Sequence, residues 1–354
     1  VGKARTLAQV YRRFGEADTA GSSPLYGRVA VALSESDEAL RAIEAAPARK
    51  RHPALILAAL HDLALAGRAP ALAAAYEAAD GAVAADAAIG TLLSMTDEVA
   101  AIAARRRPRT GETGRHAVLY PAVAEAAHRV GASAVGLIDV GCSAGFNLNV
   151  DRVGIAYGDG RSLGDPSSPV QVSASMVGER PVPERAMPEV VARVGVDPDP
   201  VDVTDAGEAR WLRACVPPDR PEQMARLAAE TALAAAAPPV LLQGDAIEVL
   251  TEAFARVPPD ALPVVTTTWA LSDLPLEGRL RFLHRLDETA AHRPVAWVSA
   301  EGVGVAPAIP TFGDRRASGH SIIGLALLDH STVRTEAVGR CWSRGRLLSW
   351  LTGS

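Results

Sequence analysis

The segment from Gly136 to Asn149, GLIDVGCSAGFNLN, constrains the fold of this chain more than any other. An apolar strand ends at Asp139, a tight turn holding Gly141 and Gly145 follows, and a helix is expected behind it. Glycine is required where backbone takes positive φ or comes close to a ligand. A helix start adds unpaired N–H groups. Units of this kind build a mainly parallel sheet whose ligands lie in the crevice beyond the carboxyl ends of the strands.

The rest of the chain agrees with an α/β fold. Short apolar runs at 135–140, 191–196, 239–243, 262–267 and 294–299 read as buried strands, with helical segments at 208–215, 223–236 and 276–289 between several of them. Such alternation implies crossovers. Residues 321–328 and 341–351 look like two further strands, an antiparallel edge. Residues 154–188 fit no strand–helix unit and suggest an inserted hairpin over the sheet. Before residue 130 the pattern is helical. Leu92, Met95, Val99 and Ile102 recur at the spacing of one helix face, Pro53 and Gly67 bracket an apolar helix, and Ser23 with Pro24 forms a helix start. The expected organisation is a helical N-terminal lid, residues 1–130, and a Rossmann-like domain, residues 131–354.

Composition narrows the function classes. The net charge of −5 argues against a protein that works along nucleic-acid backbones. Cys142, Cys215 and Cys341 form neither a disulfide framework nor a metal motif. No run approaches the ~18 apolar residues of a membrane span, and no secretory signal is read at the first residues. The expectation is a cytoplasmic protein with no metal, whose partner is a small molecule.

The glycine loop is not the GxGxxG of dinucleotide sites. An acid two positions before its first glycine favours a ligand carrying an amino group, as S-adenosylmethionine does. Gln243 to Ala246, QGDA at the end of an apolar strand, looks like the adenine-binding motif of class I methyltransferases, in which Asp245 would accept from the adenine amine. Arg193 to Pro198 resembles the strand whose terminal acid, Asp197, holds the ribose hydroxyls, with Asp202 as the alternative. Asp197 lies about 50 residues beyond the glycine loop, whereas Rossmann-type sites place this acid about 20 on. These resemblances imply a Rossmann-like class I methyltransferase sheet with an all-α N-terminal domain. Its cofactor residues would be Asp139, Gly141, Ser143, Gly145, Asp197, Asp245, Ala246 and Trp269.

On the acceptor side the candidates are His320, Asp273 and Glu301. His320 is the best-placed histidine for a general base. Glu301 ends a buried strand, where a carboxylate is costly unless it is paired or useful. Asp273 has the alternative of capping the helix near Pro275. Tyr26, Glu112 and Arg115 would contact substrate if the helical half covers the crevice. Arg105 to Arg107 and Arg109 complement a helix end or bind an anion. Two rivals stand beside methyl transfer. One is a non-catalytic adenosyl-binding scaffold. The other is a serine hydrolase, because Gly141 to Gly145 also fits a G-x-S-x-G elbow with Ser143, Asp273 and His320 in order.

Gly21 to Tyr26, Asp139 to Asn149, Arg193 to Thr204, Gln243 to Ala246 and Trp297 to Gly302 together resemble an uncharacterised actinobacterial family, the domain of unknown function 2332 family. The resemblance spans nearly the whole chain. It implies the methyltransferase-like fold and supplies no catalytic residues.

Overall fold

The computed structural model describes residues 6–19, 21–109, 113–330 and 332–352. In chain order the helices are Leu7–Arg13 (α1), Pro24–Glu35 (α2), Asp37–Ile43 (α3), Pro53–Leu65 (α4), Pro70–Glu77 (α5), Gly81–Ser94 (α6), Thr96–Arg105 (α7), His116–Val130 (α8), Ala206–Ala214 (α9), Pro221–Ala236 (α10), Ala246–Ala255 (α11) and Leu276–Ala290 (α12). The chain divides into two compact units: residues 1–112 with 204–228, and residues 113–203 with 229–354.

The first unit is helical, with a core of large aliphatic side chains such as Leu33, Ile56, Leu60, Leu72 and Leu92. Ser23 caps α2 by accepting from Tyr26 N, and prolines open α2, α4 and α5 as first-turn residues should. The spacing of Leu92 to Ile102 does not give one helix: α6 and α7 break at Met95 and meet at 89°. The unit also takes back α9, whose Trp211 is 1% exposed within the same core. The division therefore differs from a single cut at residue 130, since α8 belongs to the sheet unit.

The sheet unit carries β1 (Ala134–Val140), β2 (Gly154–Tyr157), β3 (Ser162–Gly164), β4 (Gln171–Met176), β5 (Glu189–Asp197), β6 (Val240–Gln243), β7 (Leu262–Thr268), β8 (Val295–Gly302), β9 (Ser321–Asp329), β10 (Thr332–Trp342) and β11 (Leu347–Trp350). Their order is β3-β2-β4-β11-β10-β9-β8-β7-β1-β5-β6. β6, β5, β1, β7 and β8 run parallel. β9, β10 and β11 continue as an antiparallel meander. The central strands read as continuous apolar runs because helices cover both faces. Leu137 joins the cluster formed with α8, while Ile138, next along β1, joins the one formed with Leu250 of α11 and Phe282 of α12. The chain order reverses at β1: β5 and β6 extend one side, β7 and β8 the other.

Three local expectations are corrected. The segment after Gly145 is a 3₁₀ stretch, Phe146–Arg152, with Asn149 off helical geometry, and not an α-helix. The strands within 154–176 do not lie over the sheet. β2 and β3 form a hairpin, and β4 pairs in parallel with both β2 and β11, so the insertion extends the sheet edge. The strand expected from Cys341 begins at Thr332, and a turn at Ser343–Gly345 separates it from β11. Among the described residues no single helix is long and apolar enough to cross a membrane.

Candidate functional site

The carboxyl ends of β1, β5, β7 and β8 bring most of the sequence-selected residues of the sheet unit into one region. The loop from Gly141 to Gly145 lies against the end of β5: the Gly141 and Cys142 amides donate to the Val196 carbonyl at 2.8 and 3.3 Å. Gly141, Ser143 and Gly145 have φ of +74°, +50° and +70°. Glycine accommodates that backbone freely, whereas Ser143 needs support. Asp197 supplies it, its Oδ2 accepting from Ser143 N at 2.9 Å and its Oδ1 from Asp199 N at 2.8 Å. β5 contributes Gly195 beneath the loop, where a Cβ would come 2.6 Å from Cys142 Sγ. Cys142 is thus a buried filler of the loop's underside.

Asp139 is fully buried. Its Oδ1 accepts from the Thr266 hydroxyl at 2.7 Å and its Oδ2 from Asn147 Nδ2 at 3.1 Å. Burial pushes its carboxyl up to about 6, against the opposing pull of the Thr266 hydrogen bond, the Arg115 charge and the Asn147 amide. Asn147 Nδ2 also donates to Thr268 Oγ1 at 3.2 Å, and Arg115 Nη1 donates to the same hydroxyl at 2.9 Å. With its amide N–H groups turned to Asp139 and Thr268, Asn147 presents Oδ1 as an acceptor. Arg115 and Arg344 place their guanidinium carbons 5.2 and 5.8 Å from the Trp269 ring centre. The Trp269 indole N–H donates to Ser321 Oγ at 2.8 Å, which fixes the ring.

Glu301, 1% exposed, accepts from the amides of Ala270 and Leu271 at 3.0 and 3.1 Å through Oε1. Burial pushes its carboxyl up to about 7, opposed by those amides and by the Thr267 hydroxyl. Its visible work is holding the loop after β7. His320 pairs through Nε2 with Asp314 Oδ2 at 2.9 Å, and Arg340 grips the same carboxylate at 2.6 and 3.1 Å. Asp273 is exposed and does not cap α12, whose N-cap residue is Pro275. The acid on His320 is therefore Asp314 and not Asp273. No hydrogen bond joins Ser143 to a histidine among the described residues, so the hydrolase order in sequence is not matched by a Ser–His pair.

Asp245 is exposed and N-caps α11, accepting from Ile247 N at 2.9 Å; Ala246 follows as the first helical residue. Tyr26 lies elsewhere. It is 4% exposed in the core of the helical unit, where its hydroxyl donates to the Leu57 carbonyl and faces His61 Nδ1. Burial pulls His61 down to about 4, so this ring is neutral near pH 7. Tyr26 is a core residue of that unit and not an exposed contact. Glu112 lies outside the described residues.

Asn147, Thr266, Thr268 and the pair His116–Glu230 were not singled out from sequence. A run of hydroxyl residues, Thr266 to Thr268, at the end of an apolar strand was the available signal. His116 sits in α8 with Nε2 3.1 Å from the Phe146 carbonyl and Nδ1 3.5 Å from Glu230 Oε1, both side chains buried. Through Nε2, His116 anchors the carbonyl of the residue after the glycine loop.

No curated protein and no solved structure matches the chain. A family model described as uncharacterised protein conserved in bacteria, DUF2332, matches residues 8–350. A match over nearly the whole length of both units settles membership, and the chain belongs to this bacterial domain of unknown function 2332 family.

Proposed function

We propose that the sheet unit is a Rossmann-like methyltransferase domain that binds S-adenosylmethionine and transfers its methyl group to an oxygen or nitrogen of a small molecule. The observation that carries the reading is the strand order. Numbered among themselves, the five parallel strands run 3-2-1-4-5, with acids at the ends of the first two, Asp139 and Asp197, and Asp245 just past the third. Ligands of open α/β sheets sit at the reversal point of such an order.

The residues fit the cofactor unevenly. Asp245 is exposed, and only Oδ1 is used by the helix cap, which leaves Oδ2 for an exocyclic amine. Each Asp197 oxygen accepts from one backbone N–H and keeps lone pairs for hydroxyl donors. Asp139 is enclosed, so its charge reaches the crevice through Asn147, whose Oδ1 is the acceptor for an ammonium group. When bound, the cofactor supplies an electrophilic methyl group on a sulfonium. Trp269, fixed by Ser321, walls the region, and Glu301 holds the backbone of the neighbouring loop. Positioning of this kind carries much of an in-line transfer.

The test is a transfer assay with methyl-labelled S-adenosylmethionine and a fractionated small-molecule extract. Label appearing in a small-molecule fraction, and lost with Asn147→Ala, supports the enzyme. Binding without transfer to any fraction would instead fit the scaffold.

A further inference from the structure

We propose that the helical unit contains a second ligand site, for a small phosphate monoester, independent of the methyltransferase reading. Its place is a cavity of about 460 Å³ lined by Arg68, Arg105, Arg106 and Arg210, with Asp62 and Glu208 as its acids and three apolar residues, Ile102 among them. Four cations against two acids give this cavity local positive charge in a chain whose net charge is −5.

The arginines are held but not used up. Arg210 engages Asp62 through Nε at 2.8 Å, and Arg106 engages Glu208 through Nη1. A guanidinium has five N–H donors, so each keeps further donors, and none of those atoms is buried without a partner. Arg106 is also held with its guanidinium carbon 5.6 Å from the Trp211 ring centre, and its carbonyl accepts from Lys50 Nζ at 2.7 Å. Trp211 in turn donates through its indole N–H to the Arg107 carbonyl at 2.9 Å. Arg68 is paired outside the cavity lining with Glu98, at 2.6 Å. Arg105, the last residue of α7, makes no side-chain hydrogen bond or ion pair among the described residues. The expectation that Arg105 to Arg107 merely solvate a helix end leaves this convergence unexplained.

Four guanidinium groups at one cavity offer paired N–H donors of the kind an oxyanion takes. With Glu98 counted beside Arg68, the four cations face three acids, and the remaining positive charge suits an oxyanion. The apolar residues leave room for a small organic body, and the volume lies within the range of small-molecule pockets.

The experiment is calorimetric titration of the full chain with inorganic phosphate, ribose 5-phosphate and succinate at low and raised salt. The expected result is binding of both phosphates, the ester more tightly, with affinity falling as salt rises. Arg105→Ala should weaken it about tenfold, and Arg105→Lys should restore only part of that loss. Arg105 is exposed and has no side-chain bond among the described residues, so its removal spares the fold; Arg68→Ala serves as a second variant and should weaken binding in the same direction. Absence of phosphate binding by folded protein would overturn the proposal. So would binding unchanged in both alanine variants, or succinate binding as tightly as phosphate.

Discussion

A carboxylate as enclosed as Glu301 is charged only at a cost, and the sign of that cost is measurable. Burial lifts the group from 4.5 to about 7, so the folded chain keeps a proton there that the unfolded chain has lost. Its contribution to stability is fully present below about pH 4.5 and declines as pH rises through about 7. Glu301→Gln keeps an acceptor for the Ala270 and Leu271 amides and removes the titration. Between about pH 4 and about pH 8 the unfolding free energy of the variant should therefore gain on that of the parent by about 3 kcal/mol. Asp139, lifted to about 6, adds a parallel decline to both proteins that cancels in the difference. Denaturant melts across that range provide the check, and a pH-independent difference would contradict the assignment. At this scale the sequence was partly legible. A glutamate ending an apolar strand announced Glu301, and a strand–glycine boundary announced Asp139. That Asp139 would be sealed by Thr266 and Asn147, from β7 and the 3₁₀ stretch, depends on register between distant segments, which no local pattern encodes.

The elements show the same division. Asp245 was readable both as an adenine acceptor and as a helix cap, and the structure gives it the cap of α11. Those roles separate by substitution. Asp245→Ala should cost about 1 kcal/mol of stability through the lost cap, whereas Asp245→Ser should cost little because serine caps as well. Thermal melts of the two variants test this, and equal destabilisation would sink the cap as the relevant difference. The parallel strands were legible as apolar runs because both faces are buried. β4, and β10 ahead of Cys341, were missed for the opposite reason. In β4, Val172 and Ala174 point inward between exposed Gln171, Ser173 and Ser175, an alternation of small residues too weak to stand out. β10 carries Arg334, Glu336 and Arg340 along an uneven burial pattern.

For the whole molecule, composition and the shift in pattern near residue 130 indicated a helical part and a sheet part, but not which helices go with which core. Amphipathicity says that a helix has an apolar face and is silent about the core that receives it. Hence α8 joins the sheet unit and α9 returns to the helical one. A fragment ending at residue 130 therefore lacks Trp211 and carries Val118, Leu119 and Val123 of α8, buried in the sheet unit's core, without their partners. Such a fragment should aggregate or fail to fold cooperatively, as read by size-exclusion chromatography and amide NMR dispersion. A well-dispersed monomer would contradict the division.

The central claim, an adenosyl site at the carboxyl ends of the parallel strands, is tested most directly by calorimetric titration with S-adenosylmethionine and S-adenosylhomocysteine. Asp245→Ser is the control, since it keeps the cap and removes the acceptor. The account predicts micromolar binding, about −8 kcal/mol, weakened about tenfold in the variant. Well-folded protein that binds neither ligand, or binds both equally with and without Asp245, would contradict it.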